Sequence, residues 1–453
     1  MNCDFLKYDA QHVWHPCTQM KDHESFPVIP IVKGEGAYIY DSSGKKILDA
    51  ISSWWVNILG HSNERIKKAI KEQLDKIEHV IFAGFTHEPA ALLSKMLVEL
   101  MPPNINKVFF ADNGSSAVEV ALKMSFQYWQ QTGKPEKTKF AAIEGAYHGE
   151  TIGALSVGGV DLYKQIYNPI LIDTYFAKGP TCFTCPFNKE RNSCNAECFV
   201  SVNNLIEQHH KELAAIIIEP MVQCANGMNI YSKKYLNNLF IKCKEYDILL
   251  IADEIAVGFG RTGKMFAFEH AGIEPDIICL SKGITGGFLP LSVVLTGDEI
   301  YNSFYDDYTK LKAFLHSHSY TGNPTACAAA VETLKIFKEE NILIKNIEKS
   351  QKMYNKLIET FESHPNIGEI RQLGMIAAME IVKEKKEKKR FPWEKRIGFQ
   401  VYKEALARGV LLRPLGDVIY FMPPYVINDY DINFMAETAY ESINKVLGGL
   451  DGN

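Results

Sequence analysis

The sequence predicts an α/β protein: a large domain around a mostly parallel central sheet, with a smaller α+β domain built from both chain ends. Three observations predict it. Short apolar runs alternate with segments of helical spacing through the middle of the chain, the pattern of strand, crossover helix and strand. Two of these runs end in charged residues that a buried strand would not otherwise meet. The runs thin out in residues 1–59 and 326–453, which leaves 60–325 as the large domain.

The elements follow in order. KVFFA at 107–111 leads into Asp112-Asn113-Gly114-Ser115-Ser116, and AVEVALKMSFQYWQ after it has helical spacing. KFAAI at 139–143 leads into Gly145-Ala146-Tyr147-His148-Gly149, and AAIII at 214–218 leads into Glu219-Pro220. ILLIA at 248–252 runs into Asp253-Glu254, and IICL at 277–280 runs into Ser281-Lys282-Gly283. The C-terminal part shows helical patterns, then VLLRPLG and VIYFMPPY as short strands. KEKKEKKR at 383–390 reads as a solvated loop or helix end.

Composition excludes several classes. Hydrophobic residues make up 46% and charged residues 23% of 453, ordinary for a globular enzyme. The net charge of −5 carries no basic bias, so no nucleic-acid partner is expected. No apolar run is long enough to span a bilayer, so no membrane association is expected. The opening MNCDFLKYDA has neither a basic nor an apolar leader segment, so a cytoplasmic location is expected. Ten cysteines then read as thiols or metal ligands.

The strand ends carry the chemistry. The carboxyl edge of a parallel sheet is where open α/β folds bind ligands. A lysine there with an aspartate opposite is the pair that pyridoxal phosphate needs. Lys282 would form the Schiff base, and Asp253 would keep the pyridine nitrogen protonated. Gly114 and Ser115, between a strand and a helix, can cradle a phosphate on free N–H groups, although Ser at that place is also a common N-cap. Tyr147 can stack on a planar ring or be a core aromatic. Arg261 in GFGRTG and Arg413 in LLRPLG can each hold a carboxylate or sit in a surface ion pair.

Taken together, LLIADEIAVGFGRTGKMFAFEHAGIEPDIICLSKGITGG resembles the core of the class III aminotransferases, pyridoxal-phosphate enzymes of fold type I. WHPCTQM, SSWWVNILGH, GAYHGET and RPLGDVIYFMPPY resemble the branch that acts on 8-amino-7-oxononanoate in biotin synthesis, with adenosylmethionine as the expected donor. The resemblance covers nearly the whole chain. It implies Lys282, Asp253 and Tyr147 at the catalytic centre, and Gly114 and Ser115 at the phosphate. It implies Arg413 on the substrate carboxylate, with Arg261, Trp54, Cys17 and Ser317 lining the substrate site. The loop HSHSYTGN would reach a partner subunit's phosphate through Ser319, which implies a homodimer with shared sites.

Three sites, four residues in all, depart from that branch. Cys17 replaces a tyrosine, Glu150 an aspartate, and His318-Ser319 a proline-threonine pair. All three bear on the amino donor, and the HSHSYTGN form is closer to enzymes that use lysine. Other class III enzymes of the ornithine or 4-aminobutyrate type are a second reading, and a non-catalytic regulator on the same fold a third. The tryptophan pair and the Arg413 segment speak against the second, and the intact Lys282–Asp253 pair against the third.

Cys182, Cys185, Cys194 and Cys198 form a C-x2-C-x8-C-x3-C pattern. A structural zinc site is one reading, an iron–sulfur cluster a lesser one, and four unbonded thiols on a surface loop the other.

Overall fold

The computed structural model describes residues 4–449. Residues 1–3, on which the leader reading rests in part, lie outside them. A seven-stranded sheet runs in the order Lys107–Ala111, Ser292–Thr296, Ile277–Leu280, Leu249–Asp253, Leu213–Ile218, Lys139–Ile143 and Thr174–Ala177. It is mostly parallel. Only Ser292–Thr296 runs against its neighbours. Leu213–Ile218, Leu249–Asp253 and Ile277–Leu280 are buried along their whole length, which is why they read as continuous apolar runs.

Two strands of this central sheet escaped the sequence reading. Thr174–Ala177 has four residues, of which only Ala177 is fully buried. Ser292–Thr296 follows a glycine-rich stretch that reads as loop, yet all five of its residues are buried. The helix Gly114–Gln131 packs on the sheet through Val118, Ala121 and Leu122. Burying a Val or Leu side chain of this kind contributes roughly 1.5–3 kcal/mol.

The two chain ends meet beside this sheet. Ile31–Glu35, Tyr38–Asp41 and Lys46–Asp49 form a sheet whose last member is Val410–Leu411. Val410 pairs with Leu48. Val418–Phe421 belongs to another sheet, with Ile376–Ile381 and Ile367–Leu373. The two expected C-terminal strands therefore lie in different sheets, and Arg413 sits on the link between them. The lysine-rich stretch turns back on itself, with Glu384 bridged to Lys389. Among the described residues no helix is long and apolar enough to cross a membrane.

One turn stands out. Ser52, Ser53, Trp54 and Trp55 have φ of 52°, 46°, 71° and 74°, a left-handed turn made without glycine. Each such residue costs about 1–2 kcal/mol, so the surroundings must hold it. Asp49 accepts from the Ser53 amide at 2.9 Å and the Ser53 hydroxyl at 2.7 Å. Ser52 donates to the Met422 carbonyl at 2.7 Å, and the Trp55 indole to the Tyr420 hydroxyl at 3.0 Å. The result presents two adjacent tryptophans in different directions.

Candidate active site

The sheet places its charged strand ends side by side. Asp253 pairs in register with Cys279 on the neighbouring strand, so Lys282 follows three residues beyond at the same edge. Asp253 is 4% exposed. One of its oxygens accepts from the Ile255 amide at 3.0 Å, and the other lies 2.7 Å from His148 Nδ1. His148 is buried too, and its Nε2 has no hydrogen-bond partner. Burial lowers the pKa of the Lys282 amine, which raises the fraction free to act as a nucleophile. The ammonium lies 4.8 Å from the centre of the Trp55 ring.

Between these groups is a cavity of about 210 Å³, bounded by Lys282, Asp253, Tyr147, Gly114, Ser115 and Glu219 among others. The helix beginning at Gly114 is capped by Asn113, whose side chain accepts from Ser116 at 3.1 Å. That cap leaves the Gly114 and Ser115 amides without an intrahelical carbonyl. Gly149 has φ +127°, and a Cβ there would collide with the Ser115 side chain. The glycine lets the Tyr147 turn approach the helix start. The Tyr147 hydroxyl donates to Glu150 at 3.1 Å. Burial first, then Glu150, pushes the Tyr147 pKa well above the ordinary phenol range.

A second cavity of about 690 Å³ is bounded by Cys17, Asp22, Leu162, Tyr402, Arg413 and Asp417 among others. Arg413 Nη2 donates to the Cys17 carbonyl at 3.4 Å. Its guanidinium lies 4.1 Å from the centre of the Trp54 ring. So the left-handed turn sets one tryptophan under the lysine and the other against the arginine.

Not every expected residue is at the site. Arg261 is 1% exposed and lines neither cavity. Its guanidinium donates to the carbonyls of Pro423 at 2.8 Å, Met422 at 3.3 Å and Trp55 at 3.3 Å. It braces the tryptophan turn from behind. Ser317 and Ser319 are exposed and line neither cavity.

The zinc expectation finds no support. Cys182, Cys185, Cys194 and Cys198 are free thiols, and among the described residues no three His, Cys, Asp or Glu side chains gather as metal ligands. Cys182 and Cys198 pack against the core, and Cys194 donates to the Arg191 carbonyl. Burial, reinforced by the other three thiols, pushes Cys198 up to about 11.

Sequence reasoning passed over His148, Glu219 and Trp55. The signal was there for two of them. Both His148 and Glu219 follow buried strands, as Asp253 and Lys282 do.

The class III aminotransferase family model, "Aminotransferase class-III", matches residues 18–447. The chain is a class III aminotransferase. This aminotransferase is 44% identical over 443 residues to the adenosylmethionine-8-amino-7-oxononanoate aminotransferase of Geobacter sulfurreducens, covering 98% of each chain. The crystal structure of the enzyme of that name from Methanocaldococcus jannaschii matches with a TM-score of 0.92 at 38% identity, over 97% of this chain and 98% of that one. An omega transaminase from Pseudomonas jessenii, solved in complex with PMP, matches with a TM-score of 0.93 at 30% identity, over 98% of each. Fold similarity is thus equal for the two transaminase types, and substrate must be argued from the site.

Membership in this family implies pyridoxal phosphate as cofactor, and the smaller cavity fits it. The cavity offers an enclosed amine, a buried carboxylate opposite it, and a helix start whose amides are open to a phosphate.

Proposed function

We propose that this aminotransferase converts 8-amino-7-oxononanoate to 7,8-diaminononanoate in biotin synthesis, with adenosylmethionine as amino donor. The carrying observation is Arg413. Among the described residues it makes no ion pair, yet it faces a cavity of about 690 Å³ and stacks on Trp54. An unpaired guanidinium at the wall of a large pocket is suited to a carboxylate on a long chain. The relatives of 36–44% identity that carry the adenosylmethionine–8-amino-7-oxononanoate name support the same substrate pair.

Bound pyridoxal phosphate supplies the electron sink that lets a proton leave the carbon bearing the amine. The chain does the rest. Lys282 would hold the cofactor, and its amine is placed to carry the proton as general acid and base. Asp253, hydrogen-bonded to His148, would keep a proton on the ring nitrogen. Gly114 and Ser115 would hold the phosphate, and Tyr147 would border the ring. Trp54 and Cys17 border the substrate path. The donor and acceptor halves run in turn over the same groups.

Adenosylmethionine is favoured as donor by the names of the relatives. It carries a nucleoside that needs a wide pocket, and Cys17, where the branch has a tyrosine, does not exclude it. Lysine is the alternative donor, with Glu150 available for its distal ammonium. Glu150 is exposed and bonded to the Tyr147 hydroxyl.

The exposed Leu311, Leu315 and Tyr320, at 78%, 90% and 65% exposure, flank Ser317 and Ser319. Apolar exposure on this scale favours a protein partner, here a second copy whose phosphate Ser319 would reach. A cytoplasmic homodimer is the assembly we infer.

The test is a half-reaction. The cofactor-loaded enzyme is mixed with one donor at a time, and the visible absorbance of the cofactor is followed. Loss of that absorbance with adenosylmethionine is expected. Loss with lysine and none with adenosylmethionine would overturn the donor and leave the product unchanged. Borohydride reduction should fix the cofactor on Lys282, and a label on any other lysine would sink the assignment of the site.

A further inference from the structure

Glu219 is a buried acid that the mechanism above does not use. It is 4% exposed and directly follows the strand Leu213–Ile218. Its Oε1 accepts from the Tyr147 amide at 3.0 Å, and its Oε2 from the Cys224 amide at 2.9 Å. Its own carbonyl accepts from the Tyr231 hydroxyl at 2.7 Å. It has no cationic side chain within ion-pair distance among the described residues, and its carboxyl faces the cofactor cavity.

Glu254 is a useful contrast. It is equally buried and also accepts two amides, those of Ala267 and Phe268, at 2.8 and 2.7 Å. Those amides begin a short helical turn, and Glu254 does not line the cavity. Glu254 thus holds a turn away from the cavity. The amides held by Glu219 belong instead to the segment that carries Tyr147 and His148, and to the loop opposite it.

We propose that Glu219 is a positioning residue of the cofactor cavity, whose carboxyl clamps the Tyr147–His148 turn to the Cys224 loop and holds a second acid beside Asp253. The proposal rests on the placement of the cofactor given above. His148 is bonded to Asp253, Tyr147 would border the ring, and one carboxyl group fixes the backbone from which both project.

The clamp also sets a charge. Burial pushes the Glu219 carboxyl up to about 7. His148 and the two amides oppose that rise, and Asp253 adds to it. Lys282, Cys224 and Tyr231 face the same carboxyl. Near neutral pH the acid therefore changes charge beside the lysine. An ionised Glu219 favours a proton on the Lys282 nitrogen, and a neutral one does not.

The test uses the cofactor-loaded enzyme and two variants, Glu219→Gln and Glu219→Asp. The visible absorbance of the bound cofactor is titrated with pH, and cofactor affinity is measured by adding pyridoxal phosphate to the stripped protein. Glu219→Gln removes the charge, so the midpoint of the absorbance titration should fall by about half to one unit. Glu219→Asp keeps the acid on a shorter arm, so its midpoint should stay nearer the wild type. Each variant should bind the cofactor about tenfold more weakly, because one hydrogen bond from a backbone N–H to the carboxyl is lost. Superimposable titrations for wild type and both variants, with affinity unchanged, would overturn the proposal. Borohydride labelling of Lys282 in the same samples reports separately on where the cofactor lies.

Discussion

His148 Nδ1 lies 2.7 Å from Asp253 Oδ2, with both side chains buried and His148 Nε2 left without a partner. In the role proposed above, Asp253 would hold a proton on a ring nitrogen, and the imidazole is the side chain hydrogen-bonded to it. A bond of this kind to a charged group contributes about 1.5–3 kcal/mol.

His148→Ala should therefore lower the rate of the donor half-reaction by roughly 10- to 100-fold, with cofactor affinity reduced as well. Single-turnover kinetics at saturating donor check it. An unchanged rate would show that Asp253 keeps its state without the imidazole.

Arg413 stacks on Trp54 at 4.1 Å and lacks an acidic partner among the described residues. Arg413→Ala should weaken use of the acceptor by about 1.5–3 kcal/mol in kcat/KM. The donor half-reaction should suffer far less, because the long-chain carboxylate belongs to the acceptor. Equal loss in both halves would count against this role.

Arg261 tests the opposite case. Its three carbonyl partners include Trp55, and losing it leaves buried oxygens unsatisfied, at about 1–3 kcal/mol each. Arg261→Ala should lower the unfolding free energy and the thermal midpoint. KM for donor and acceptor should move together, since the tryptophan turn relaxes as a whole. A change confined to one substrate, with stability intact, would return Arg261 to the substrate site.

Glu254 predicts a pH dependence of stability. Burial raises its pKa from 4.5 to about 8, so between those values the folded protein holds a proton that the unfolded chain releases. The contribution is fully present below the unfolded value and is lost as pH rises through the folded one. Glu219, raised to about 7, acts in the same direction. Denaturant unfolding should show stability falling from pH of about 5 to about 8, and Glu254→Gln should flatten that slope by on the order of 1–3 kcal/mol. A slope unaltered by the substitution would rule Glu254 out as its source.

The sequence by itself determined the class of fold and the core of the site. The strands ending at Asp253 and Lys282 were legible because a strand buried on both faces must be apolar throughout, so a charged residue at its end is conspicuous. Gly114, Ser115 and Tyr147 stood out for other reasons, the first two between an apolar run and a helix, the third as an aromatic after an apolar run, and all three in motifs resembling the family's. Tertiary structure decided what local pattern could not. Arg261 in GFGRTG and Arg413 in LLRPLG both sit in otherwise uncharged stretches that contain glycine, yet one is enclosed by backbone carbonyls and the other faces a cavity. That difference depends on Trp55, Met422 and Pro423, far away in the chain. The four cysteines have the spacing of a metal site, but spacing does not aim their sulfurs. The left-handed turn at Ser52–Trp55 carries no glycine to announce it. It exists because Asp49, Tyr420 and Arg261 hold it, and the Tyr420 and Arg261 contacts form only when the chain ends close on the sheet.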